Sequence, residues 1–375
     1  MRFTIQQDKF IDKLQYLSNV VPVRNPMPIL TNVLISADKE KGLKLTTTDL
    51  EVSVTADIDT YVSEDGIAAV SAKSLTEIVH SLPSDKQISI YKEEDKFNIE
   101  CGNSFFSLKC APAEDFPQLP EKSIENPFKI SANLFTKMVN SSSFAVSPME
   151  TRPAFTGIFW YVKPDEQTMV ATDGKKLTKY TTHLKLNEQD TLPAEGKKVI
   201  IPVKGLNLLN KMVCEEHPFI DIQIEENTIS FQYDDYKIFS RLIEANYPEY
   251  EKVIPYNNPK IIEVEKEKLK TAIHRVSLLS SVDTYKIKLT FNGKELVVSS
   301  ADQEKGSARE ILPIKSELTD FEIGFNYRYL LEIINALDTD TIQIKFKEPL
   351  SASLFYNTEY PENEHNLFLL MPLRL

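Results

Sequence analysis

The feature that most constrains this chain is a threefold internal repetition, with a period of about 125–130 residues. Near the N-terminus Phe10, Leu14, Leu17 and Val20 are spaced as the apolar stripe of an amphipathic helix. The stripe returns at Leu134, Met138, Ser141 and Phe144, and again at Leu269, Ile273, Val276 and Leu279, with only Ser141 breaking it. A second stripe follows each first one, at Leu75, Ile78, Val79 and Leu82, at Leu206, Leu209, Asn210 and Val213, and at Leu330, Ile333, Ile334 and Leu337. Ser71, Pro202 and Asn326 precede these second stripes, and all three suit the first turn of a helix.

Between the helices the sequence alternates apolar and polar residues with period two, as in Leu43-Lys44-Leu45-Thr46, Ile88-Ser89-Ile90-Tyr91 and Ile342-Gln343-Ile344-Lys345-Phe346. Polar turns separate these runs, among them Asp38–Gly42, Glu94-Asp95, Glu225–Asn227 and the hairpin signal Asn292-Gly293. Each repeat therefore reads as antiparallel sheet with two helices, an α+β class. Thr48-Asp49, Thr172-Asp173 and Ala301-Asp302 follow corresponding strands, while Asp115-Phe116-Pro117 and Asn246-Tyr247-Pro248 close the first two repeats. With the proline-bearing stretches Pro120–Pro127 and Pro255–Pro259, this predicts domains at 1–125, 126–256 and 257–375.

Composition narrows the function. With 43 Lys+Arg against 55 Asp+Glu the net charge is −12, which excludes a simple basic coat for nucleic acid. No apolar run reaches the ~18 residues of a membrane span, and Met1–Ile5 lacks a signal peptide's apolar core, so a cytoplasmic protein without a membrane partner is expected. Cys101, Cys110 and Cys214 lack metal-ligand spacing, and only 10 glycines occur in 375 residues, little material for a phosphate-cradling loop. The five histidines fall in no metal or catalytic pattern, and neither a P-loop nor G-x-S-x-G occurs. No catalytic residue, metal or cofactor is expected.

One charge pattern does follow the repeat. Lys73, Lys204 and Arg328 each stand two residues before the leading Leu of the second helix. On the first helix Lys9 and Lys268 share a position with Asn133, and Lys13 shares one with Lys137 and Ala272. One such cation is ordinary decoration of a solvated helix. If the six helices share one face, however, the cations sum into a local positive field that suits sequence-independent phosphate contacts. The C-terminus, Leu367–Leu375, is apolar in an acidic chain, and Pro372 cannot continue a central strand. Leu373 and Leu375 are thus left for another use, such as a binding surface.

Four segments carry a resemblance: Val23-Arg24-Asn25-Pro26-Met27-Pro28-Ile29-Leu30, Ala171-Thr172-Asp173-Gly174-Lys175-Lys176-Leu177, Tyr247-Pro248-Glu249-Tyr250 and Met371-Pro372-Leu373-Arg374-Leu375. In these the chain resembles the bacterial sliding clamps, the β subunits of the replicative DNA polymerase III holoenzyme. The resemblance implies three topologically alike domains, closing head to tail with a second copy into a ring whose helices line the hole. It implies a partner-peptide pocket of Phe155, Thr172, Gly174, Lys175, Lys176, Leu177, Pro248, Lys252, Val253, Leu369, Met371, Pro372, Leu373 and Arg374. Family members often carry His-Arg in place of Lys175-Lys176, Arg in place of Lys252 and Leu in place of Phe155; Lys lacks the planar fork of Arg. Arg24 matches a DNA-contacting position, whereas Met149 replaces a polar residue in the loop Ser147–Glu150. Phe106 and Leu108 match a dimer interface facing Leu278 and Leu279 of the other subunit. The implied partners are duplex DNA, the replicative polymerase, the clamp loader, other proteins bearing clamp-binding motifs, and a second copy of the chain. The charge column joins Lys73, Lys204 and Arg328 to the DNA-facing set. Rival readings are a multidomain enzyme with an interdomain active site and a protein-only scaffold.

Overall fold

A computed structural model describes residues 1–22, 26–118, 124–125, 127–149, 151–184, 192–193 and 195–375. Six α-helices occur among them: α1 (Gln7–Ser18), α2 (Ala72–Ser81), α3 (Ala132–Ser143), α4 (Val203–Met212), α5 (Lys266–Ser277) and α6 (Tyr327–Ala336). The start signals read from the sequence work as expected in two helices. The Ser71 hydroxyl accepts from the Ser74 N–H at 3.3 Å, and the Asn326 side-chain oxygen accepts from the Arg328 N–H at 2.9 Å. Each satisfies one of the unpaired donors of a first helical turn. Pro202 is the last residue of the strand that runs into α4.

The apolar stripes of α1, α5 and α6 are buried as predicted, Phe10, Leu14, Leu269, Ile273, Leu330, Ile333 and Ile334 all lying in the core. The stripe of α3 differs by one residue. Of its predicted positions Met138 and Ser141 are buried, but Leu134 and Phe144 are only half-buried, and Phe135, Val139 and Ser142 also face inward, with the Phe135 ring centred 5.7 Å from that of Phe231. Leu134 and Phe135 are adjacent and both apolar, so periodicity alone cannot choose between them; the strand Phe128–Ser131, which leads directly into α3, sets the phase. The alignment of Asn133 and Lys137 with the first-helix cations fails for the same reason.

The chain forms two compact units, and every pairing within the four sheets is antiparallel. One unit gathers the described parts of Met1–Thr136 and Lys204–Leu242, the other Ile243–Leu375 with the described parts of 137–203. The first holds a five-stranded sheet ordered Val62–Glu64, Arg2–Gln6, Gln87–Glu93, Lys96–Cys101, Ser104–Lys109. It also holds an eight-stranded sheet ordered Phe128–Ser131, Phe219–Ile224, Thr228–Tyr233, Tyr236–Arg241, Val52–Ile58, Gly42–Thr48, Asn32–Asp38, Gly66–Ser71. The second unit holds an eight-stranded sheet ordered Lys197–Pro202, Gly157–Val162, Gln167–Thr172, Lys176–Thr182, Glu364–Leu370, Ser353–Asn357, Thr341–Phe346, Lys260–Glu265. Its four-stranded sheet runs Gly306–Pro313, Glu295–Asp302, Lys286–Asn292, Phe321–Asn326.

Both large sheets join strands from neighbouring sequence repeats. In one, Ile238 pairs with Val54; in the other, Leu177 pairs with Leu369. The middle repeat thus supplies strands to both units, and each of its contributions is completed by a neighbour. No helix among the described residues is long and apolar enough to cross a membrane.

Candidate peptide-binding surface and cationic positions

The loop after the strand Gln167–Thr172 is built by an aspartate that recurs in each repeat. Asp173 Oδ1 accepts from the N–H groups of Lys175 (2.8 Å) and Lys176 (3.0 Å). Asp49 does the same for Glu51 and Val52, and Asp302 for Glu304 and Lys305. A short acceptor side chain folds the backbone into a turn this way, which explains the Thr-Asp and Ala-Asp landmarks. The N–H groups of Lys305 and Glu304 hold the Asp302 carboxyl below the ordinary carboxylate range. Within the Asp173 turn Gly174 has φ +87°, a region that penalises a side chain. Thr172 closes the turn, its hydroxyl donating to the Lys176 carbonyl (2.7 Å) and accepting from the Gly174 N–H (3.0 Å).

This turn meets the C-terminal tail. Leu177 stands opposite Leu369 across the paired strands, and both are buried in one apolar cluster with Phe159, Val170 and Ile254. Beyond the end of Glu364–Leu370, the Met371 N–H donates to the Lys175 carbonyl at 2.8 Å. The chain then bends at Pro372, and the Leu373 N–H donates to the Gly324 carbonyl at 2.8 Å. A Cβ on Gly324 would come within 2.9 Å of the Leu373 carbonyl oxygen and of Leu375, so glycine there lets the tail approach the sheet. The Arg374 carbonyl accepts from Lys286 Nζ at 3.3 Å. Met371 is 43 % exposed, and Leu375 is exposed as well.

An aromatic wall lies on the same cluster. Tyr247 stacks on Phe159 at 4.8 Å and meets Phe155 edge-on at 6.3 Å, with Tyr250 packed against Phe159 at 5.9 Å. Burial raises the Tyr247 phenol above its ordinary value, and its hydroxyl donates to the Val170 carbonyl at 3.3 Å. Pro248 is exposed beside this wall, as are Lys252 and Val253 on the short 3-10 helix Tyr250–Val253, where Lys252 pairs with Glu249. Phe155, Thr172, Gly174, Lys175, Leu177, Leu369, Met371 and Leu373 are thereby connected through one cluster and its bounding turn. Tyr247, Tyr250 and Phe159 join them without having been assigned to the pocket from the sequence, although Tyr247 and Tyr250 bound one of the segments that carry the resemblance.

Lys176, one of the residues the resemblance assigns to the pocket, is buried. The residue is only 4 % exposed; Nζ pairs with Glu332 of α6, lies 3.9 Å from Asp173, and sits 4.6 Å over the Tyr329 ring. Lys176 opens the strand Lys176–Thr182 and is covered through its contact with Glu332 of α6, while Lys175, one residue earlier in the turn, remains exposed.

The cationic positions are unlike one another. Lys73 is exposed, 3.9 Å from Glu77 one turn along α2. Lys204 is engaged by Asp49 and by the Val20 carbonyl at 3.1 Å. Arg328 lies over the Tyr285 ring, 3.6 Å from its centroid. Lys137, out of register with the first-helix cations, pairs with Glu364 at 2.6 Å. Arg24 and Glu150 lie outside the described residues; Met149 is exposed. Phe106 and Leu108 are half-buried on the edge strand Ser104–Lys109, Leu278 is 68 % exposed just past α5, and Leu279 is half-buried. Among the described residues no group of His, Cys, Asp and Glu is placed to hold a metal ion.

Comparison with known proteins agrees with this architecture along the whole chain. Three family models match in succession: the N-terminal domain of the DNA polymerase III beta subunit over residues 1–120, its central domain over 129–249 and its C-terminal domain over 251–374. The beta sliding clamp of Pseudomonas aeruginosa is 29% identical over the full length of both chains, and that of Escherichia coli K12 is 28% identical over the same extent. Among solved structures, the sliding clamp of Bartonella birtlesii bound to griselimycin superposes with a TM-score of 0.91 at 30% identity, again covering both chains completely. The corresponding Pseudomonas aeruginosa structure gives 0.91 at 28%. A chain built of three successive clamp domains in antiparallel sheet, matched from end to end, belongs to the bacterial DNA polymerase III beta subunit family, the beta sliding clamps.

Proposed function

We propose that the chain is a non-catalytic processivity factor: two copies close head to tail into a ring around duplex DNA and tether the replicative polymerase to it. The observation that carries the reading is the unbroken succession of three clamp domains, assigned here to 1–125, 126–256 and 257–375. Topology does the work. Weak, sequence-independent phosphate contacts permit sliding, and closure of the ring prevents escape. Such a protein acts in the cytoplasm without a cofactor or membrane.

Two free sheet edges support ring closure. Ser104–Lys109 ends the five-stranded sheet and Gly306–Pro313 ends the four-stranded one, each with one side that no strand among the described residues pairs. Phe105 is 59 % exposed on the first and Ile311 52 % on the second, with Leu278 and Val282 also exposed in the same domain as Ile311. An unprotected apolar edge invites pairing with another chain. In the assembly Phe106 and Leu108 of one copy face Leu278 and Leu279 of the next, a heterologous contact that closes if the rotation is right. The clamp loader, the polymerase and other clamp-binding proteins share the surface formed by Phe155, the Thr172–Leu177 turn, Pro248, Lys252, Val253 and the tail, an extended peptide filling it with apolar anchors.

The deciding experiment loads the protein onto nicked circular DNA with a clamp loader, then linearises the circle. Retention on the circle with loss from the linear form is expected; equal retention on both would overturn the encircling reading.

A further inference from the structure

We infer that Tyr285 is a positioning residue that presents Arg328 as the principal phosphate contact of the third domain. The inference rests on the DNA-encircling function proposed above. Of the three cations that recur before the second helices, Lys73 faces Glu77 and Lys204 is taken up by Asp49. No carboxylate among the described residues pairs with Arg328; its guanidinium carbon is 3.6 Å from the centre of the Tyr285 ring. A guanidinium carries five donors in its own plane, so holding it over a ring and hydrogen-bonding it to a tyrosine fixes the orientation of that plane while leaving its remaining N–H groups for an anion. A phosphate takes such a fork through two parallel hydrogen bonds. A lysine free to sweep through solvent gains nothing comparable from preorganisation.

The backbone at Tyr285 supports a dedicated role. Its φ is +52°, a region that a bulky aromatic residue occupies only under constraint. The constraint is visible: the Tyr285 N–H donates to the Ser281 carbonyl at 2.9 Å, and its own carbonyl accepts from the Tyr327 N–H at 2.9 Å. Tyr327 meets the Tyr285 ring edge-on at 5.9 Å, and its side chain also hydrogen-bonds Arg328. Glycine would adopt this conformation without strain. What the tyrosine supplies in exchange is the surface under Arg328, and strain retained in this way is a mark of functional positions.

The test measures binding of labelled duplex DNA to the full-length protein over a salt series, with thermal unfolding followed in parallel, for the parent, Tyr285→Phe, Tyr285→Gly and Arg328→Ala. Tyr285→Gly should weaken binding about two- to fivefold, the effect of one exposed cation–π contact. Its thermal transition should hold or rise, because the backbone strain is relieved. Tyr285→Phe keeps the ring and should bind as the parent does. Arg328→Ala should flatten the dependence of log affinity on log salt by about 0.9, one phosphate contact. The inference is overturned if Tyr285→Gly binds like the parent, if Tyr285→Phe is as weak as Tyr285→Gly, if Arg328→Ala leaves the salt slope unchanged, or if affinity falls only together with the thermal transition. Failure of the encircling function would show in the parent itself, as absence of topological retention on circular DNA, whereas failure of the positioning role alone leaves the parent retained.

Discussion

Lys176 illustrates how a lysine beside an exposed turn can be held in the interior. Its ammonium is buried against Tyr329 and paired with Glu332, so it fastens the Asp173 turn to α6. Removing one partner of a buried pair costs more than replacing the ion with a well-packed apolar group. Glu332→Ala is therefore expected to lower the unfolding free energy by about 1–3 kcal/mol, since Glu332 is itself partly solvated, and Lys176→Met by less. Urea denaturation of both variants checks this, and the reverse order would show that the pair is not what holds the turn. His365 gives a pH-dependent counterpart. Burial, with Lys179 and Lys345 nearby, lowers its imidazole below the ordinary 6.5. The unfolded chain then takes up a proton more readily than the folded one. Its contribution to stability is complete above the ordinary value and is lost as pH falls through the lower folded-state value. The thermal transition of the parent should drop between about pH 7.5 and about pH 5 by more than that of His365→Gln; equal drops would remove His365 from the account.

At the scale of elements, the tail is the informative piece. The strand stops before Pro372 as the sequence predicts, but the residues beyond it are not loose, being tied by the Met371 to Lys175 and Leu373 to Gly324 backbone bonds. Deleting Met371–Leu375 should abolish binding of a clamp-binding peptide and also cost about 1–3 kcal/mol for two hydrogen bonds lost. Calorimetric titration with the peptide and a melting curve separate the two effects; full peptide affinity after truncation would move the binding surface elsewhere. The stripes of α1, α5 and α6, the caps at Ser71 and Asn326, and the Asn292-Gly293 hairpin were legible because each depends on a few neighbouring residues. The phase of α3 was not, because Leu134 and Phe135 are equally apolar and only the preceding strand distinguishes them. The burial of Lys176 was hidden for a different reason: it depends on Tyr329 and Glu332 of α6, about 150 residues away in sequence. The aromatic wall of Tyr247, Tyr250 and Phe159 depends on contacts between residues distant in sequence, which no local pattern encodes.

For the whole molecule, the free edges at Ser104–Lys109 and Gly306–Pro313 lead to an expectation about assembly. Carrying Phe106→Glu together with Leu108→Glu should halve the mass measured by light scattering at micromolar concentration while leaving the far-UV spectrum unchanged, because both residues are only half-buried within their own sheet. An unchanged dimer mass would place the contact elsewhere. The sharing of sheets between neighbouring repeats has a further consequence, for the chain as it is being made. Val52–Ile58 is almost entirely buried, and one of its two neighbours is Tyr236–Arg241, which is translated much later. At about 5–20 residues per second the ribosome needs roughly 10–40 s to deliver that partner. Throughout this interval the nascent first repeat carries an apolar strand with an open hydrogen-bonding edge. The eight-stranded sheet that it begins can be completed only after about two thirds of the chain has been made.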